Sequence, residues 1–400
     1  MKRRRRARPP LLTWAVLTVT GGCSATFVAD VNGGTGTSSV DGGAGGDAAT
    51  GAGQDAGAPA DAGPVVETCT PLGATRQCAA NKGIQTCMPD ADGGGAWATP
   101  CLPTTCTASS VPAGSAEGCV GAGVFQMGGL DGVVGAGEPD TMPAHRVTMA
   151  HRYFVDQFEA TVAEFNTWWN AGAPLVPAPD TLVYVSGAGD VMRWSPAEAA
   201  AVVAPGTGLN CTASRLPLEP LASINCVTRA TALAYCLARG KRLPTEAEWE
   251  FAASGQGAGN DFPWGMNAPT AVEEESCLLT IDLGCTSGSN GGKFPFPRPS
   301  ASHGTTTAAL GSLNNLAGNM AEWTLDFAPA LGAACATGTC FVAGDSEPWG
   351  AADGAAGFVV RGGSYASAAP QIRTRARAFV TGSPPDATVG FRCVRTDGPI

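Results

Sequence analysis

The stretch NNLAGNMAEW, Asn314 to Trp323, decides how this chain is read. Asn315 and Glu322 offer side-chain oxygens at its two ends. Gly318 between them lets the backbone turn tightly enough for main-chain carbonyls to point the same way. Oxygens so arranged suit a hard cation, and calcium is the natural guest. Spacing alone favours a loop in which asparagine caps its own backbone and Glu322 is solvated.

Working outward, three further stretches keep a fixed order with it: RLPTEAEWEFAA (Arg242 to Ala253), RGGSY (Arg361 to Tyr365) and GFRCVR (Gly390 to Arg395). Upstream stand FQMGG (Phe125 to Gly129), then Glu138, Pro143, His145 and Val147, then FVDQFEATVAEF. Together, from about Ala116 to Arg395, they resemble the sulfatase-modifying-factor family, whose best-known member is the formylglycine-generating enzyme. The resemblance implies an α+β, C-type-lectin-like mixed fold, loop-rich and held by disulfides. It implies a structural calcium held by the Asn315 side chain, the Gly318 and Met320 carbonyls and Glu322. It also implies a bridge between Cys236 and Cys393. In family enzymes two copper-binding cysteines follow the RGGS(W/Y) aromatic by two and seven residues. Those positions here are Ser367 and Ile372. Neither supplies the soft thiolate that Cu(I) selects, so copper is not expected.

Composition frames this domain. Six basic residues, Lys2, Arg3, Arg4, Arg5, Arg6 and Arg8, precede the first apolar run; without them 24 − 6 = 18 basic residues face 34 acidic ones, a net of −16. Such a surface repels nucleic acid. Residues 1–22 read as a signal peptide, because the apolar run is too short to span a bilayer. Cys23, directly after small residues, resembles a bacterial lipidation site. Export across the inner membrane, and an outer-membrane or cell-surface lipoprotein, follow as expectations. Residues 23–66 are a Gly/Ala-rich tether with too little apolar surface to offset the entropy of ordering. Residues 67–110 read as a small cysteine-rich stalk module, and 116–398 as the main domain.

Setting Cys23 aside, six cysteines lie between Cys69 and Cys119 and eight between Cys211 and Cys393, both even numbers. Paired cysteines in an oxidising compartment are the economical reading. Cys211 with Cys226, Cys277 with Cys285, and Cys335 with Cys340 would each close a surface loop.

Within the domain, RVTMAHRYFVDQFEA reads as one or two strands. Thr161 with Glu164, and Thr245 with Glu248, have capping-box spacing, with Val162, Phe165 and Trp169 on one face of the first helix and Trp249, Ala252 and Ala253 on the buried stripe of the second. VTRATALAYCLARGKR gives a helix between them with Leu233, Cys236 and Leu237 inward and Gly240 as its stop. RTRARAF alternates as a strand, placing Arg373, Arg375 and Arg377 on one face. That face is laced with carboxylates, or it is a site for an anionic ligand. The leading expectation for function is a binding or scaffolding module for an extracytoplasmic protein or anionic ligand. An oxidase converting a sulfatase cysteine to formylglycine, and a purely structural envelope protein, are the alternatives.

Overall fold

The computed structural model describes residues 68–69, 75–77, 84–89, 94–97, 103–107, 110–111, 115–129, 145–171, 176–185, 191–208, 210–214, 220–268, 313–328, 357–380 and 386–397. The chain divides into Met1–Ala62 and Gly63–Ile400, and all described residues belong to the second unit. Cys23, Cys277, Cys285, Cys335 and Cys340 lie outside the described residues.

Strands β1 (Thr75–Gln77), β2 (Ile84–Pro89) and β3 (Gly95–Trp97) make a small antiparallel sheet in that order. Cys69 bridges to Cys87 beside it. A second bridge, Cys106–Cys119, joins the cysteine-rich segment to β4 (Glu117–Val120). The six cysteines counted together in the sequence therefore do not all pair within 67–110: Cys119 is a residue of the main domain.

β5 (Gly123–Met127) and β6 (His145–Met149) pair antiparallel, and β7 (Tyr153–Asp156) follows. RVTMAHRYFVDQ thus contains two strands. The helix α1 (Val162–Asn170) starts at Thr161 with both halves of its capping box made, and buries Val162 and Phe165. β8 (Leu182–Val185), β9 (Val191–Arg193) and the short α2 (Pro196–Ala200) lead to the Cys211–Cys226 bridge. α3 (Arg229–Ala238) is capped by Thr228, buries Leu233 and Cys236, and is followed by Gly240 at φ +68°, where a residue without Cβ is unstrained. α4 (Glu246–Ala253) starts at Thr245 with its capping box complete and is buried along its whole length. No helix among the described residues is long and apolar enough to cross a membrane.

The remaining elements are β10 (Ala321–Ala328), β11 (Gly357–Arg361), β12 (Arg377–Val380), β13 (Val389–Gly390) and β14 (Val394–Thr396). β12-β11-β10-β13 form the four-stranded sheet, antiparallel except for β10 with β13, and β14-β7-β4 form a three-stranded one. One apolar cluster gathers Phe165, Trp194, Leu233, Tyr235, Trp323 and Phe391. A second packs α4, through Trp249 and Phe251, against β5, β6 and β7. Cys236–Cys393 staples α3 to the segment between β13 and β14, as the resemblance implied.

One expected element differs. Arg373, Arg375 and Arg377 do not share a strand face, because residues 369–372 form a 3-10 turn and β12 begins only at Arg377. The reason is hydrogen bonding. Arg361 donates to the carbonyls of Thr374, Arg375 and Ala376, while Thr374 N–H donates to the Asp261 carbonyl, so this backbone is held by partners outside a strand ladder.

Candidate functional site

The four motifs converge through buried arginines. Arg242, which opens RLPTEAEW, makes a bidentate pair with Glu248 at 2.6 Å on both oxygens. Arg361, at the end of β11, reaches into the same helix, pairing with Glu250 and standing 3.5 Å from Glu246. Arg392 grips Glu322 on β10 with contacts of 2.7–2.9 Å, and donates as well to the carbonyls of Asp156, Gln157 and Asn314. Trp249 Nε1 donates to the other face of Glu322 at 2.8 Å, tying α4 to the Asn314–Trp323 stretch. All three arginines are 1% exposed or less. Charge-assisted pairs in such dry surroundings are strong and geometrically exacting.

Glu246 illustrates the difference between a first-turn glutamate and its surroundings. The helix dipole favours it there, but what it touches is Arg377 Nε at 2.6 Å, and its own N–H donates to Asp326 at 2.6 Å. Burial, reinforced by the Glu246 charge, pushes the Asp326 carboxyl well above the usual range.

The stretch expected to hold calcium is turned as its sequence suggested. Asn315, Gly318 and Asn319 all have φ between +57° and +78°. Its donors point elsewhere, however. The Asn315 and Asn319 amides both donate to Glu159, at 2.9 and 2.8 Å, and Glu322 has both oxygens engaged by Arg392 and Trp249. In the set Asn315, Gly318, Met320 and Glu322 the one carboxylate already faces a guanidinium, so a calcium ion, which gathers six to eight oxygens, would have to compete with Arg392 for it. Among the described residues no group of three or more His, Cys, Asp or Glu side chains gathers in a metal-holding arrangement.

Glu159 was not singled out in the sequence. It stands between β7 and α1, 1% exposed, with two neutral amides as its hydrogen-bond donors. Burial is the largest influence on it and, together with Glu322, pushes its carboxyl up to about 7 against the opposing pull of Arg392 and of the amides. The only signal in the sequence was a glutamate two residues ahead of a helix cap, which looks like ordinary solvated charge.

At the positions of the family's copper cysteines, Ser367 accepts a hydrogen bond from Ser364 N–H at 2.9 Å, closing the turn after RGG. Ile372 is fully buried and packs with Phe262 and Ala317. Arg375 pairs with Asp261 at 3.0 Å and Arg377 with Glu246, while Arg373 is half-buried.

Residues 105–397 match the family described as Sulfatase-modifying factor enzyme 1-like domain. The chain is similar to the formylglycine-generating enzyme of Streptomyces coelicolor, at 35% identity over 173 residues, which is 40% of this chain and 49% of that protein. It is also similar to the formylglycine-generating enzyme of Bos taurus, at 28% identity over 290 residues, covering 68% and 72%. A stretch of 34 residues is 68% identical to the inactive C-alpha-formylglycine-generating enzyme 2 of Bos taurus, covering 8% of this chain and 11% of that one. The chain spans about half the length of the first two curated relatives it matches, 49% and 56%.

Proposed function

The chain belongs to the sulfatase-modifying factor enzyme 1-like family, and from that premise we propose that it is a binding or scaffolding module of the cell envelope rather than a copper oxidase. The observation that carries this reading is the fate of Ser367 and Ile372. One hydroxyl closes a turn and one alkyl group fills the core, so the two positions from which family enzymes present thiolates here serve packing. Cys393, the nearest cysteine in the final strands, is bound to Cys236.

The test is titration of the full chain with copper under reducing conditions, followed by incubation with a cysteine-containing sulfatase peptide. The reading expects no stoichiometric tight copper binding and no loss of peptide thiol. Tight copper together with peptide oxidation overturns it and restores the enzyme.

Finer parts of the reading are proposals on the same footing. The C-type-lectin-like arrangement rests on the family resemblance, alongside short antiparallel sheets and few helices. Lipidation at Cys23 rests on the sequence preceding it, and the mass of the mature N-terminal peptide tests it. Calcium at the Asn315–Glu322 loop requires Glu322 to release Arg392, so ion and guanidinium compete; a melting temperature that climbs with calcium and falls with chelator supports it, and an unchanged one overturns it. An anionic ligand on Arg373, Arg375 and Arg377 has less support, since Arg375 and Arg377 already hold Asp261 and Glu246.

A further inference from the structure

Asp326, on β10, is held differently from the buried acids around it. It is 2% exposed, and its side chain meets the first turn of α4, where Oδ2 accepts the Glu246 N–H at 2.6 Å. That N–H is one of the donors a helix start leaves without an internal partner. Among the described residues it is the side chain's one hydrogen bond, and no cationic side chain pairs with Asp326. Its neighbours each have a guanidinium: Glu246 has Arg377, Glu248 has Arg242, Glu250 has Arg361 and Glu322 has Arg392.

The cations nearest to Asp326 are committed elsewhere. Arg229, from α3, donates to the Thr324 and Leu325 carbonyls, stands 3.4 Å from Glu198 of α2, and lies over the rings of Phe327 and Phe358. Arg361, from β11, holds Glu250 and stands 3.5 Å from Glu246, and Arg377, which opens β12, lies 2.6 Å from Glu246. Three guanidiniums, Arg229, Arg361 and Arg377, thus serve four carboxyls: Glu198, Glu246, Glu250 and Asp326. The last three are 3% exposed or less. A carboxylate left unpaired in a dry interior is neutralised by a proton more readily than it is kept charged. Burial, and after it the Glu246 charge, push the Asp326 carboxyl well above the ordinary 3.8, against the pull of the Glu246 N–H, Arg229 and Arg377.

We propose that Asp326 is a neutral acid in the native protein, and that its proton is a latch between the start of α4 and β10 that alkali releases. Once the proton leaves, Asp326 and Glu246 are both charged in one buried junction that holds no further guanidinium to serve them. The sign follows from linkage. A carboxyl raised in the folded state contributes stability that is full below its unfolded value, near 3.8, and is lost as pH rises through the folded value. The latch goes beyond the binding-module reading and does not rest on it.

The test is urea unfolding of the full chain, disulfides intact, from about pH 6 to about pH 10, for the parent, Asp326→Asn and Asp326→Ser. Asparagine keeps an acceptor for the Glu246 N–H and cannot ionise, so it should fold at about pH 6. The ratio of folding constants, Asp326→Asn over parent, should then grow with pH, by up to about tenfold per unit once the acid titrates. Glu159 is common to both chains and cancels from the ratio. An infrared difference spectrum, parent minus Asp326→Asn at about pH 7, should carry the C=O stretch of a protonated carboxyl. A ratio that does not change with pH, or a difference spectrum carrying only carboxylate stretches, would overturn the proposal. So would failure of both neutral variants to fold at about pH 6, because it would show that position 326 needs its charge. The copper and peptide-thiol readouts are separate measurements, so failure of the latch and failure of the non-oxidase reading are told apart.

Discussion

Arg392→Met is the perturbation that asks most of the structure. The methionine keeps much of the volume but loses every bond the guanidinium makes, those to Glu322 and those to the Asp156, Gln157 and Asn314 carbonyls. Glu322 is fully buried, so its charge is stranded rather than handed to water. Removing one partner of such a pair costs about 3–5 kcal/mol, and the orphaned carbonyls add to it without being strictly additive. We take about 5 kcal/mol, which is comparable with the whole stability of many domains. At about 2–4 °C per kcal/mol for a domain of this size, the melting temperature should fall by about 10–20 °C. The assay is thermal and urea unfolding with disulfides intact, followed by circular dichroism. Adding Glu322→Gln in the same chain removes the stranded charge and should recover part of the loss, which a merely steric defect would not allow. Arg392→Met alone also probes the calcium proposal, because Glu322 freed of Arg392 should gain stability from calcium more than the parent does. A single-variant cost under about 1 kcal/mol, or a double variant worse than the single, refutes the reasoning.

Three further outcomes follow from particular contacts. Burial alone would raise the Glu117 carboxyl, but hydrogen bonds and charge from Arg395 and Lys241 outweigh it and bring the value from 4.5 to about 2. Its stabilisation is therefore full above pH 4.5 and fades as pH falls toward 2; the melting-temperature gap between the parent and Glu117→Gln should close over that window, and a gap independent of pH contradicts the assignment. Replacing Cys236 and Cys393 by serine opens a link between residues 157 apart, against 15 for Cys211 and Cys226, so it should be the more destabilising pair, each within about 2–5 kcal/mol; urea midpoints in the reverse order would count against chain entropy as the cause. Gly363→Ala should cost about 1–3 kcal/mol by urea unfolding, because φ is +63° and the new Cβ would sit 2.8 Å from the Gln371 carbonyl and 2.9 Å from Ile372; a neutral result would mean the turn after Arg361 relaxes freely.

What the sequence made legible was whatever depends on neighbours along the chain. Thr161 with Glu164 and Thr245 with Glu248 gave both helix starts, and Gly240 gave a helix stop, because caps are satisfied within three or four residues. The Cys236–Cys393 bridge came from the resemblance, not from periodicity. What stayed hidden depends on contacts from far away. The alternation of RTRARAF is a real strand pattern, but Arg361 captures its carbonyls, and nothing in those seven residues says so. Glu159 was passed over because a glutamate near a helix start is normally in water; its burial is created by Asn315 and Asn319, more than 150 positions away.

The same distinction explains how the motifs persist while the copper positions are changed. Arg242, Arg361 and Arg392 each hold a carboxylate from the helix α4 or the strand β10, and Trp249 joins those two elements through Glu322. Each motif is thus satisfied by another motif, and none of these contacts passes through Ser367 or Ile372. A buried charge network of this kind fails steeply if one member is lost, since the remaining partner is left unpaired in a dry interior. The positions that would carry thiolates lie just beyond it, in a turn and at the edge of a small apolar cluster, where hydroxyl and alkyl groups are accommodated. The signature by which the family is recognised is therefore chiefly a signature of folding.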